Sequence, residues 1–164
     1  MKTRAILFLG ALALSLATGQ AATLVWQGDD ATDPTNYLVG ENWSTGNVPA
    51  NSDWTDIVKF DDSTSPANKT PTLNSGRAIR QFIFESATGW DFQGSGTVTL
   101  RYVSSTAGSG TNTISSNLKL YQGGTSLTVA PGAILNVDGG LYHDGSGRTL
   151  GLGGGETINF QNRI

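Results

Sequence analysis

Between Asn117 and Phe160 the chain repeats one short pattern: polar and apolar residues alternate over a few positions, and a glycine-rich turn follows. The apolar pairs are Leu118 and Leu120, Leu127 and Val129, Leu135 and Val137, Leu150 and Leu152, and Ile158 and Phe160. Their first members are spaced by 9, 8, 15 and 8 residues. The long step spans Leu141, where one degraded rung is expected. Alternation of period 2 marks strands that bury one face and wet the other. The turns at Gly123-Gly124, Pro131-Gly132, Gly139-Gly140 and Gly153-Gly154-Gly155 supply residues that tolerate positive φ. None of these strands is long enough to hold a core alone. Stacked rung upon rung at a near-constant spacing, they would bury a continuous apolar column, so the pattern predicts a β-solenoid. Spacings of 8 to 9 also suit antiparallel hairpins, which leaves a β-sandwich as the alternative.

The N-terminus reads as an export signal. Lys2 and Arg4 precede an uncharged apolar run from Ala5 to Ala17, and small residues follow at Gly19 and Ala21. Cleavage after Ala21 puts Gly19 at the −3 position; cleavage after Ala22 would put the bulkier Gln20 there. The run is short for a membrane span, which needs roughly 20 residues. The expected layout is a signal peptide at 1–21 and a single secreted or surface-located domain at 22–164, with no spanning segment in the mature chain.

Without Lys2 and Arg4 the mature chain carries 8 basic and 13 acidic residues, a formal charge of −5. That balance does not favour nucleic acid or anionic lipid. With no cysteine, an exported chain must rely on packing and backbone ladders rather than disulfides. All four tryptophans, Trp26, Trp43, Trp54 and Trp90, precede Gly94; the apolar residues after it are mostly aliphatic. Residues 22–93 are therefore read as an aromatic-rich N-terminal cap and first coils, and 94–164 as regular coils. A solenoid needs such a plug, because an open first rung exposes its column and its strand edges. Shorter strands are expected at Leu24 to Trp26, Tyr37 to Val39 and Ile57 to Phe60. Arg77 to Glu85 is the longest candidate, with Phe82-Ile83-Phe84 apolar on both faces and so expected to be covered on both.

Several residue groups resemble one known family. They are the opening Trp26; Asn42-Trp43-Ser44, Gly46, Val48-Pro49, Asp56 and Val58-Lys59-Phe60; Leu73-Asn74-Ser75-Gly76 and Arg77 to Phe84; and Ile114 to Leu120 with Leu127 to Ala133. Together they resemble bacterial autotransporter-associated β-strand repeat proteins over nearly the whole mature chain. The resemblance implies a right-handed parallel β-helix on a secreted or surface-displayed bacterial protein. Members are often long and end in a sorting anchor or an outer-membrane barrel, so the 164-residue chain is expected to be a fragment of a longer solenoid or to associate end to end.

Catalytic constellations are sparse. His143, the single histidine, lies beside Asp144 among turn residues and reads as solvated. Asp138-Gly139-Gly140 and Asp144-Gly145-Ser146-Gly147 read as turns rather than calcium loops, because calcium takes 6–8 oxygen ligands. Asp29-Asp30 and Asp61-Asp62 could serve glycosidic acid–base chemistry only across a cleft of defined width, and otherwise read as loop residues. Gly151-Leu152-Gly153-Gly154-Gly155 fails the dinucleotide fingerprint, since Glu156 stands where its last glycine belongs. The sequons at Asn42 and Asn68 are read as unmodified. Trp43, Trp54 and Trp90 are the candidates for a sugar-stacking platform, set against the commoner role of tryptophan in a core. The expected protein is non-enzymatic, needs no cofactor or metal, and acts as a structural or adhesive segment. A carbohydrate-binding or polysaccharide-active module is the alternative. Expected partners are surface polysaccharide or another solenoid end.

Overall fold

The computed structural model describes residues 21–63, 68–145 and 147–161, without the side chains of Asp53 and Trp54. Residues 1–20, which hold all but the last residue of the expected signal peptide, the Trp54 ring and the last three residues lie outside the described residues.

Twelve strands are present among the described residues: β1 (Thr23–Val25), β2 (Ser52–Asp61), β3 (Arg77–Glu85), β4 (Asp91–Phe92), β5 (Thr97–Ser105), β6 (Gly110–Ile114), β7 (Asn117–Leu120), β8 (Thr125–Val129), β9 (Ala133–Val137), β10 (Leu141–Tyr142), β11 (Leu150–Gly154) and β12 (Thr157–Phe160). Every pairing between these strands is parallel. A hairpin-built sandwich is thereby excluded, and the fold is a parallel β-helix. One sheet runs β1-β2-β3-β5 and then divides, β5 pairing both β7 and β8, which pair β10 and β11. The other is the four-stranded β12-β9-β6-β4, so about four turns carry all walls.

The stacking differs from the order in which the dyads follow one another. Leu118 lies under Leu141, Leu127 under Leu152, and Leu135 under Ile158. A coil therefore takes about 20 to 25 residues. Successive dyads, 8 or 9 residues apart, are neighbouring walls of one coil and not successive rungs. The degraded rung expected at Leu141 is β10, only two residues long.

Corners carry the irregularities. Leu100 pairs with Leu120 and Tyr102 with Ser126, so Tyr121 to Thr125 stand opposite Arg101 alone. The same happens at this corner three coils lower, in β2: Ser52 pairs with Ile79 and Ile57 with Gln81, so Asp53 to Asp56 stand opposite Arg80. Close stacking also explains two glycines. A Cβ at Gly94, where φ is 116°, would lie 2.0 Å from the carbonyl oxygen of Leu73. At Gly139 it would lie 2.0 Å from that of Ser116.

Inward positions fill a single core. Its N-terminal part is aromatic: Trp26, Tyr37, Trp43, Phe60, Phe82, Phe84, Trp90 and Phe92 are all buried. Trp26 meets Trp43 edge-on at 5.0 Å, Tyr37 meets Trp43 at 4.8 Å, and Phe60 stacks on Phe84 at 5.1 Å. Such pairs each contribute about 0.5–1.5 kcal/mol beyond area burial. Above them Val98, Leu100, Val103, Ile114, Leu118, Leu127, Val129, Leu135 and Val137 continue the column. Leu120 is buried as well, but the dyad of β11 is not: Leu150 is half-buried and Leu152 is 58 % exposed, because among the described residues no strand pairs with β11 on its other side. In β3 the side chains of Phe82 and Phe84 are buried and Ile83 is only half-buried. Coverage of both faces was the sequence expectation; one face is covered.

The first rung is closed by the segment after it. The backbone N–H of Val25 donates to Ser44 Oγ at 3.0 Å, and the N–H of Ser44 returns to the Val25 carbonyl at 2.9 Å. Asn42 is fully buried. Its amide donates to the carbonyls of Asp33 and Asn36, and its Oδ1 accepts from the Asp30 N–H. This cage holds residues 30–36 as turns. The strand expected at Tyr37 to Val39 is absent: Asn36 makes an isolated bridge to Thr72, and Tyr37 and Leu38 turn toward the short 3-10 helix Gly40–Asn42.

Candidate functional site

Two of the three tryptophans considered for sugar stacking are part of the core. Trp43 is 1 % exposed and Trp90 2 %. Neither presents a ring face to solvent, because the cap and first coils need large apolar volume to close the column. The Trp54 side chain lies outside the described residues. A groove of about 410 Å³ runs past Trp90, but Lys69 Nζ sits 5.3 Å from the centre of that ring.

Lys69 gathers a polar cluster that sequence reading did not single out. Its ammonium donates to Asp62, to Ser86 Oγ at 2.7 Å and to Thr88 Oγ1 at 2.5 Å, and Ser86 Oγ donates to Asp62 at 3.0 Å. A serine beside a lysine invites comparison with a Ser–Lys nucleophile. Here the lysine is paired with a carboxylate, and Ser86 is fully buried with its proton directed to Asp62. The cluster ties the loop around Asp62 to the coil above. The hydrogen bond from Lys69 is the main cause holding Asp62 below the usual carboxylate range.

Asp61 and Asp62 do not act together. Asp61 pairs with Lys59 at 3.0 Å, and Lys59 pairs with Glu85 at 2.6 Å. Burial pushes Asp61 upward, but hydrogen bonds from Ser63 and Lys59 outweigh it and the carboxyl is held low. Lys59 is raised, first by its bond to Glu85 and then by Asp61. Asp30 caps its own turn, accepting from the N–H groups of Thr32 and Asp33. His143 Nδ1 lies 2.9 Å from the Gly145 carbonyl, and Asp144 turns instead to Lys119 at 2.7 Å and Arg148 at 3.0 Å. Those two cations, Lys119 first, lower Asp144 to about 2. Gly151 to Gly154 lie in strand β11 and form no phosphate loop. Of the sequons, Asn42 is buried and Asn68 Oδ1 accepts from Thr70 N and Oγ1. Among the described residues no three His, Cys, Asp or Glu side chains converge as a metal site, and no helix is long and apolar enough to cross a membrane.

A different surface stands out at the corner between the wall of β7 and the wall of β8. A groove of about 250 Å³ there is lined by Arg101, Tyr102, Gly124, Ser126, Thr149 and Gly151. Tyr102 is 39 % exposed. The Arg101 guanidinium lies 4.8 Å from the centre of the Tyr121 ring and 5.7 Å from that of Tyr102. Arg148 reaches the same corner, donating to the Gln122 carbonyl at 2.6 Å. No short motif marks this site, since its residues come from three successive coils.

Comparison with known proteins returned no matching family model, no matching curated protein and no matching solved structure.

Proposed function

We propose that this chain is an exported, non-enzymatic β-helical module, of the bacterial autotransporter-associated repeat type, that serves as a rigid structural or adhesive segment. The observation that carries the reading is the role of the motif behind the resemblance. Asn42, Trp43 and Ser44 close the first coil, and from that closed end the parallel coils stack one on another. A stack of parallel coils with a closed first rung suits a spacer or display element. The carboxylates weighed for catalysis support the same reading, because Asp30, Asp61, Asp62 and Asp144 are all engaged in turns or ion pairs. Export rests on the charged, apolar and small-residue order of residues 1–21.

Expression of the full chain in a bacterial host with export machinery tests this. The secreted product should begin at Ala22 by N-terminal sequencing, and beads coated with it should attach to bacterial or host surfaces without releasing sugar from polysaccharide. An intact Met1 on a cytoplasmic product, or turnover abolished by one acidic substitution, would overturn the proposal.

A further inference from the structure

Thr113 stacks on Asp91 in the wall of β4, β6, β9 and β12, because the two are register partners on consecutive coils. Thr111 lies on the same face, two residues earlier in β6. Both threonines face outward, since Asn112 and Ile114, which alternate with them, are buried. Asp91 Oδ1 accepts from Ser115 Oγ at 2.7 Å, and its Oδ2 accepts from Gln93 Nε2 at 2.5 Å. An ionised carboxylate has about four acceptor positions, so each oxygen keeps one open. No cation pairs with Asp91 among the described residues. The Thr111 and Thr113 hydroxyls have no hydrogen-bond partner among them either.

These three residues line the groove of about 410 Å³ that also runs past Trp90. Trp90 is 2 % exposed, and its indole N–H is buried without a partner. Folded proteins pair nearly all such donors, because an unpaired one forfeits its hydration with nothing in return. The Lys69 side chain covers the ring, but its ammonium has three protons and is committed to Asp62, Ser86 and Thr88. The groove therefore joins open carboxylate positions, two unengaged hydroxyls and an orphaned N–H, and its lining offers no unpaired cation. An anionic ligand would be repelled by Asp91, and a cationic one would find the ring face already occupied by Lys69. Beyond Asp91 the outward residues of β6, β9 and β12 are Thr111, Thr113, Ile134, Asn136, Thr157 and Asn159, with no charge among them. Both the groove and the wall that continues from it suit a ligand that is uncharged and rich in hydroxyls.

We propose that this groove binds a neutral glycan. One sugar ring sits against Asp91, Thr111 and Thr113, and two adjacent sugar hydroxyls donate to the Asp91 carboxylate. A sugar oxygen accepts from the Trp90 N–H, which is reached when the flexible four-carbon stem of Lys69 swings aside. Trp90 acts through its N–H edge rather than as a stacking face. Further sugars follow the uncharged wall along the solenoid axis. The inference rests on the adhesive reading above and names its ligand class.

The test is titration calorimetry of the purified chain with soluble oligosaccharides of glucan, mannan and galactan, and with polygalacturonate and chitosan oligomers, each at low and high salt. At least one neutral oligosaccharide should bind with an affinity that salt leaves unchanged, and polygalacturonate should bind more weakly. Asp91→Asn should weaken binding about tenfold or more, as expected for hydrogen bonds to a charged acceptor. Thr113→Val, also at an outward position, should weaken it without touching the core. Trp90→Phe removes the N–H, keeps an aromatic ring, and should weaken it as well. Tyr102→Ser, at another corner, should leave affinity unchanged. No binding in the neutral series would overturn the site. So would strongest binding of chitosan that is lost at high salt, or full affinity in folded Asp91→Asn and Thr113→Val variants. Bead attachment that survives Asp91→Asn and Thr113→Val would discard this site and leave the adhesive reading standing; failure of export and attachment with glycan binding intact would do the opposite.

Discussion

The indole N–H of Trp43 donates to the main-chain carbonyl of Tyr37 at 2.9 Å, inside the aromatic cap. The bond fixes the loop that shields the outer edge of β1, and the ring packs edge-on against Trp26. Trp43→Ala should cost about 3–5 kcal/mol by loss of buried volume. Trp43→Phe keeps much of the ring but leaves a carbonyl without its donor, a loss of about 1–3 kcal/mol. Urea unfolding of the secreted chain measures both. Equal, near-zero changes would mean that the cap does not contribute to folding.

Leu127 and Leu152 are register partners on consecutive coils, yet one is fully buried and the other mostly exposed. Leu127→Ala should destabilise by about 2–5 kcal/mol. Leu152→Ala should cost about 1 kcal/mol or less, since little of its surface is removed from water. Similar losses at the two positions would show that the last rung is covered in solution.

Among the described residues β11 and β12 each pair on one side only, and the two strands carry no charge and no proline. Edges of that kind pair with other chains. Light scattering across a concentration series should show mass rising above the monomer. Asn159→Lys, at an exposed position of β12 whose side chain donates to Asn136 at 2.8 Å, should suppress the rise. A monomer at every concentration would refute the idea.

Acid should weaken the fold through carboxylates held low. Asp144 falls from 3.8 to about 2, and Asp61 and Asp62 are also lowered. A carboxyl whose folded pKa is depressed adds stability that is complete above its unfolded value and is lost as pH falls through the folded one. The melting temperature should therefore hold above about pH 4–5 and decline toward pH 2. Lys59 is raised and works in the other direction: its contribution is complete below its unfolded value and fades as pH rises past it into the alkaline range. Asp144→Asn should flatten part of the acid limb. An unchanged limb in Asp61→Asn, Asp62→Asn and Asp144→Asn together would assign the decline to other groups.

The inward residues of the regular coils were legible from the chain. Leu118, Leu127, Val129, Leu135 and Val137 announce themselves by alternation, because strand geometry repeats every second residue and each residue's neighbours suffice to reveal it. The aromatic plug was legible too, since large rings concentrated before Gly94 have to be buried somewhere. What the sequence did not disclose is which rungs touch. That Leu118 lies under Leu141, and Arg80 beside Arg101, depends on the full length of a coil, and corner insertions such as Tyr121 to Thr125 change that length without a local signature. Burial of Trp43 and Trp90 and the pairing of Asp144 with Lys119 belong to the same class. Each joins residues whose separation is set by the sum of several turns, and only the closed three-dimensional path determines that sum.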